Sequence, residues 1–197
     1  MTFVIAGLGN PGEEYQDTRH NTGRIMLEAF RKAEKFPEFQ FDKKMTALVS
    51  RGQLKKEKII LVEPETFMNR SGKSLALLIT SAKKAEQFVV IHDDLDLPLG
   101  SMKISFNRGS GGHRGLESII RSIKTRGFTR VRIGISRATP SGKIKKPKGE
   151  EGVNDFIIAP FAKAELDTIK KISKKVTEAM RTLILESREK AMSQFNG

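Results

Sequence analysis

The chain has no cysteine, no tryptophan, one tyrosine and three histidines among its 197 residues. The lack of cysteine excludes disulfides, a thiol nucleophile and thiolate metal sites, and it accords with a reducing compartment such as the cytoplasm. With almost no Trp or Tyr, a base-stacking platform of the single-strand-binding kind is disfavoured. Lys and Arg punctuate every apolar stretch, so no run is long enough to span a bilayer. Met1-Thr2 passes straight into a core-like strand, and no signal or transit peptide is expected. What is abundant is positive charge. Thirty-six Lys and Arg face 23 Asp and Glu, for a formal charge of +13 and a pI near 10.0. Such an excess points to a polyanionic partner, nucleic acid first, met through phosphate and shape contacts.

The length suits a single domain over 1–197. Short β-branched or apolar runs closed by turn residues predict strands at 2–6, 46–51, 58–63, 88–92, 102–107 and 129–135. Helices are expected near 20–34, 70–84, 112–124 and 162–192. In the last, Leu166, Ile169, Ile172, Val176, Ala179 and Leu183 recur at steps of three and four. The alternation predicts an α/β fold: a sandwich with a mixed, mostly parallel central sheet flanked by helices. Strands 46–51 and 58–63, joined by a short Lys-rich turn, read as a hairpin. Residues 136–152 are rich in Pro, Gly and charge and are expected to form one long loop.

Four segments carry candidate chemistry. Gly7-Leu8-Gly9-Asn10-Pro11-Gly12 follows the first strand and has the glycine spacing of a dinucleotide site. Pro11 removes an N–H from such a cradle, however, and no second strand ends in an acidic residue at the spacing that ribose recognition needs. Asn69-Arg70-Ser71-Gly72-Lys73-Ser74 has the ending of a phosphate loop but Phe at position 67, where that motif needs glycine. Ser71 or Asn69 is expected to cap the following helix instead. His92-Asp93-Asp94-Leu95-Asp96 ends an apolar strand, where ligands of open α/β sheets bind. Strand alternation sends one carboxylate into the site, suited to accept the N–H of His20 and leave its other nitrogen to take a proton from water. A magnesium site is disfavoured because no second acidic cluster accompanies the first. Gly109-Ser110-Gly111-Gly112-His113-Arg114-Gly115 opens a helix and makes an anion site with Arg108 and Arg114 beside it. At a helix start, His113 suits a neutral hydrogen-bonding role.

These segments, in this order and with Thr-Arg-His-Asn at 18–21, closely resemble the bacterial peptidyl-tRNA hydrolase family. The resemblance runs from residue 3 to about 161, including Arg130-Val131-Arg132-Ile133-Gly134-Ile135 and a partial match at Phe156–Phe161. It implies a monomeric, metal-independent, cofactor-free cytoplasmic enzyme that hydrolyses the ester between a peptide and the 3′ end of tRNA. His20 is then the general base, oriented by Asp93. Asn10 and Asn69 hold the peptide backbone, Met68 lines the peptide groove, and Tyr15, His113 and Arg114 belong to the substrate side. Lys103, Arg108 and Arg132 are candidate tRNA phosphate contacts, with Lys143, Lys145, Lys146 and Lys148 as weaker ones. The alternative is a non-catalytic RNA-binding relative of the same fold. The chain departs from the family at Arg114, where the family has Asn, and at Arg24, where an apolar residue is usual. Two roles are open to Arg114: pairing with a tRNA phosphate, or drawing Asp93 away from His20.

Overall fold

Strand β1 (Thr2–Gly7) is buried from Phe3 onward, so it needs strands on both edges and helices on both faces. The computed structural model describes residues 1–197 and supplies all of these. β4 (Glu57–Pro64) and β5 (Phe88–Pro98) flank β1 in parallel. β7 (Thr129–Ala138) continues the parallel centre beside β5. The edges are antiparallel. β2 (Gln40–Asp42) and β3 (Ala47–Leu54) extend the sheet beyond β4, and β6 (Met102–Phe106) and β8 (Ile144–Lys145) both pair with β7. The sheet is therefore mixed, with its parallel strands at the centre, and residues 46–63 form the expected hairpin.

Alternation along β1 and β5 divides the interior into two cores. Ile5, Val89 and Ile91 meet α1 (Thr22–Ala33) and the long α6 (Lys163–Leu185), through residues such as Phe30, Ile169 and Val176. Val4, Ala6 and Val90 meet α2 (Ser71–Ala76), α3 (Ala82–Glu86) and α4 (Arg114–Ile123), through Leu75, Ala85 and Ile119.

Three expected elements are corrected. The helix read over 70–84 is two helices, because Ser81 turns extended and caps α3 by accepting the Lys84 N–H. The helix read over 162–192 breaks in the same way: Ser187 caps a separate α7 (Arg188–Phe195), accepting the Lys190 N–H. The presumed loop 136–152 is partly regular. β7 runs on to Ala138, β8 pairs back onto it, and Gly149 begins α5 (Gly149–Ile158), which has Glu150 and Glu151 in its first turn. Neither Ser71 nor Asn69 caps α2; the Ser71 hydroxyl donates to the Met68 carbonyl instead.

Candidate active site

The site lies at the carboxyl end of β1, where the chain leaves it for α1, and beside the middle of β5. β5 runs on to Pro98 and does not end at 92 as expected. The β1–α1 connection packs tightly because Gly23 has no side chain: a Cβ there would overlap the Ile91 carbonyl and the Leu8 N–H. That contact holds the 3-10 turn Arg19–Asn21, immediately before α1, against β5 near Ile91. Asn21 braces Asn10, its Oδ1 accepting the Asn10 N–H (2.8 Å) and its Nδ2 donating to the Asn10 carbonyl (2.9 Å). Asn10 Oδ1 in turn accepts the Met68 N–H at 2.9 Å, which fixes the orientation of the amide. Arg19 faces the opposite way. Its guanidinium donates to the carbonyls of Ala159 and Pro160 and to Glu165, and it lies 4.5 Å from the Phe156 ring centre and 5.2 Å from that of Phe161. Together with the Thr18–Pro160 bridge, it moors the end of α5 beside His20.

Asp93 is the centre of the constellation. His20 Nδ1 lies 3.0 Å from Asp93 Oδ1 and 3.1 Å from Oδ2, and His113 Nε2 lies 3.0 Å from Oδ1. A carboxylate only accepts, so both imidazoles donate. Burial by itself would raise the Asp93 pKa; the fields and N–H groups of His20 and His113 outweigh it and hold the carboxyl ionised, well below the usual range. With Nδ1 committed to Asp93, His20 has Nε2 left for proton exchange, and its ring lines a cleft of about 730 Å³. His92 is fully buried behind them, its Nδ1–H donating to the Asp93 carbonyl at 2.6 Å. Burial pushes its pKa well below the ordinary histidine value. The ligand-type atoms of His20, Asp93 and His113 lie within 4.8 Å of one another. In that group both nitrogens facing the carboxylate carry protons, so a metal ion would have to displace both.

The structure places the other expected residues unequally. All three aspartates line the cleft, but Asp93 alone is buried and meets histidines; Asp94 pairs with Arg132 at 2.7 Å, and Asp96 pairs with Lys146. Met68 is buried beside Asn10, and its sulfur packs on the start of α4, where a Cβ at Gly115 would come within 2.5 Å of it. Asn69 is exposed next to it, and Tyr15 is half-buried on the turn Glu13–Tyr15. Arg108 and Arg114 line the cleft. Lys103 is exposed on β6, directly opposite Arg132 of β7. Arg114 does not draw Asp93 away from His20. It points outward and pairs with Glu150 of α5 at 2.5 Å. Arg24 reaches from α1 to the end of β4, bonding the Pro64 carbonyl and pairing with Glu65.

Sequence reasoning missed three contributors. Asn21 carried no signal beyond its place beside His20. Arg130, buried on β7, donates to the Gly109 carbonyl at 2.8 Å and so holds the glycine loop. Burial, then Arg132 next to it, lowers its pKa to about 10. Glu150 lay inside the presumed loop. An alternating basic strand, Arg130-Val131-Arg132, was the available clue to the second of these.

Comparison with known proteins agrees with this geometry. The sequence model of the family described as peptidyl-tRNA hydrolase matches residues 4–197. The chain is similar to the peptidyl-tRNA hydrolase of Aquifex aeolicus, 38% identical over 194 residues that cover 98% of this chain and 95% of the relative. That of a Thermoanaerobacter species is 39% identical, over 99% of this chain and 100% of the relative. Among solved structures, the crystal structure of peptidyl-tRNA hydrolase from Acinetobacter baumannii superposes with a TM-score of 0.88 at 29% identity, covering 100% of this chain and 95% of that one. With the match running from β1 to α7 and the fold shared throughout, the chain belongs to the peptidyl-tRNA hydrolase family.

Proposed function

We propose that the protein hydrolyses the ester joining a peptide to the 3′ end of tRNA, with His20 as general base. The observation that carries this reading is the contact of His20 Nδ1 with the buried, ionised Asp93 carboxylate at 3.0 Å, in a cleft. His20 Nε2 takes a proton from water as the water oxygen bonds to the ester carbonyl carbon. When the bond from that carbon to the tRNA 3′ oxygen breaks, the imidazolium returns the proton to the leaving oxygen. Asp93 stays ionised throughout and stabilises the imidazolium between the two steps. No serine nucleophile is needed. The Ser71 hydroxyl donates to the Met68 carbonyl and that of Ser110 to Glu117, and neither hydroxyl bonds a histidine.

Asn10, with its carbonyl oxygen held by Met68, presents its Nδ2 to the substrate, and Asn69 offers a second, exposed amide. Met68 supports the peptide from beneath, and Tyr15 flanks the same end. Lys103, Arg108 and Arg132 receive tRNA phosphates, the last by sharing its guanidinium with Asp94. The protein acts as a monomer in the cytoplasm, and the intact His20–Asp93 contact weighs against a non-catalytic RNA-binding role. The direct test is release of peptide from a purified N-blocked aminoacyl-tRNA without added nucleotide or metal. Steady release by the wild type is expected, and its absence overturns the reading.

A further inference from the structure

We infer that His113 is a fixed second donor to the Asp93 carboxylate, a positioning residue that tunes His20 through Asp93 and does not act on substrate. The inference follows from where the proton on its ring must be. His113 is the residue before α4, and its Nδ1 lies 3.1 Å from the Gly115 N–H and 3.3 Å from the Leu116 N–H. Those first-turn amides have no partner within the helix. A ring nitrogen that accepts two N–H groups carries no proton, so the imidazole is neutral and its one proton sits on Nε2. That proton is aimed at Asp93 Oδ1, 3.0 Å away. Protonating Nδ1 would break both amide contacts and set a cation at the positive end of a ten-residue helix. The two histidines on Asp93 are thus not equivalent. His20 has a nitrogen free to exchange protons, whereas His113 has both nitrogens committed.

Two consequences follow. First, the carboxylate cannot swing, because Oδ1 is held by donors from two separate elements, the turn before α1 and the cap of α4. Secondly, the negative charge that stabilises an imidazolium at His20 is shared with a neutral N–H. His20 therefore feels a weaker field than a carboxylate of its own would give. The other ionisable neighbours do not bond the Asp93 carboxylate, although the His92 ring packs edge-on against that of His113, with centroids 4.9 Å apart. His92 on β5 bonds the Asp93 carbonyl, with Arg130 of β7 beyond it; Asp94 is paired with Arg132, and Arg114 with Glu150. None of them touches the Asp93 carboxylate.

Two substitutions separate this role from plain helix capping. His113→Asn keeps a side-chain oxygen of the type preferred before a helix, but it is too short to reach Asp93. His113→Phe keeps a ring and loses both the acceptor and the donor. For His113→Asn, the thermal midpoint should stay near that of the wild type. Its kcat should fall about tenfold, as for loss of one hydrogen bond to a charged group, with KM within about twofold. The acid limb of its kcat profile should move up by about half a pH unit or more. The same upward move should appear in an NMR titration of the His20 ring in both variants, read without substrate. Wild-type kcat and an unmoved limb in His113→Asn would reduce His113 to a cap and overturn the inference. So would an unmoved His20 titration in His113→Phe. The activity readouts rest on the hydrolase reading, whereas the titration does not. A moved titration in a protein that releases no peptide would therefore support the inference and overturn that reading alone.

Discussion

Arg114, on the first turn of α4, pairs with Glu150, on the first turn of α5, at 2.5 Å across the mouth of the cleft. Arg114 is thereby turned away from Asp93, and the His20–Asp93 contact is left whole. Both partners are more than half exposed, so the pair is screened by solvent and contributes little. Arg114→Asn and Glu150→Gln should each change kcat/KM by less than about threefold, as expected for a surface ion pair. A tenfold loss in Arg114→Asn that is absent from Glu150→Gln would show that the arginine meets substrate.

Removing the base removes the chemistry and leaves the basic surface untouched. His20→Ala should lower kcat by about 10²–10⁴-fold while tRNA binding, measured with deacylated tRNA, stays nearly unchanged. Turnover close to that of the wild type would end the assignment of His20 as the base.

Salt should report the phosphate contacts. Lys103 is exposed and has no acidic partner, in contrast to Arg132, which is shared with Asp94. In Lys103→Gln the log–log dependence of tRNA affinity on salt should flatten by about 0.7–0.9 units, one phosphate's worth. An unchanged slope would remove Lys103 from the interface.

A buried carboxyl away from the cleft should make stability depend on pH. Glu63, on β4, is pushed up from 4.5 to about 7, mainly by burial, with Arg24 only partly offsetting it at 3.9 Å. An acid whose folded pKa is raised holds its proton longer in the folded state, so stability falls as pH rises from about 4.5 to 7 and then levels off. The shift corresponds to about 3 kcal/mol across that window. Glu63→Gln should flatten the decline and raise the thermal midpoint at pH 8. If the wild-type and variant curves stay parallel between pH 4.5 and 7, Glu63 is ionised in the folded protein.

The His20–Asp93 contact was legible early because each half carries a local signal. His20 follows a glycine turn after a strand, and period-two alternation along β5 singles out Asp93 from its neighbours. The central strands were legible because they are short, β-branched and buried. α5 was not. It buries no residue fully, and its short apolar face, Val153, Phe156 and Ile157, is confined to its second half. It is held in place by the packing of Phe156 and Ile157 on the core, by Arg19 and by the Thr18–Pro160 bridge, contacts that span about 140 residues of chain. The breaks at Ser81 and Ser187 were hidden for a related reason. Helical periodicity carries across a serine that turns extended, and only its side-chain capping bond reveals the stop.

The sequence by itself determined the alternating α/β pattern, the surplus of positive charge, and the local settings of His20 after a glycine turn and of Asp93 on an apolar strand. All three follow from local spacing and composition. The tertiary structure decided which groups share that carboxylate. His113 meets Asp93 from the cap of a helix 20 residues further along the chain, Asn21 braces Asn10, and Arg114 turns to Glu150. Such choices depend on how the β1–α1 connection packs against β5, where Gly23 leaves no room for a side chain, and on which nitrogen of each ring finds a donor or an acceptor. Those constraints exist only once the elements are assembled.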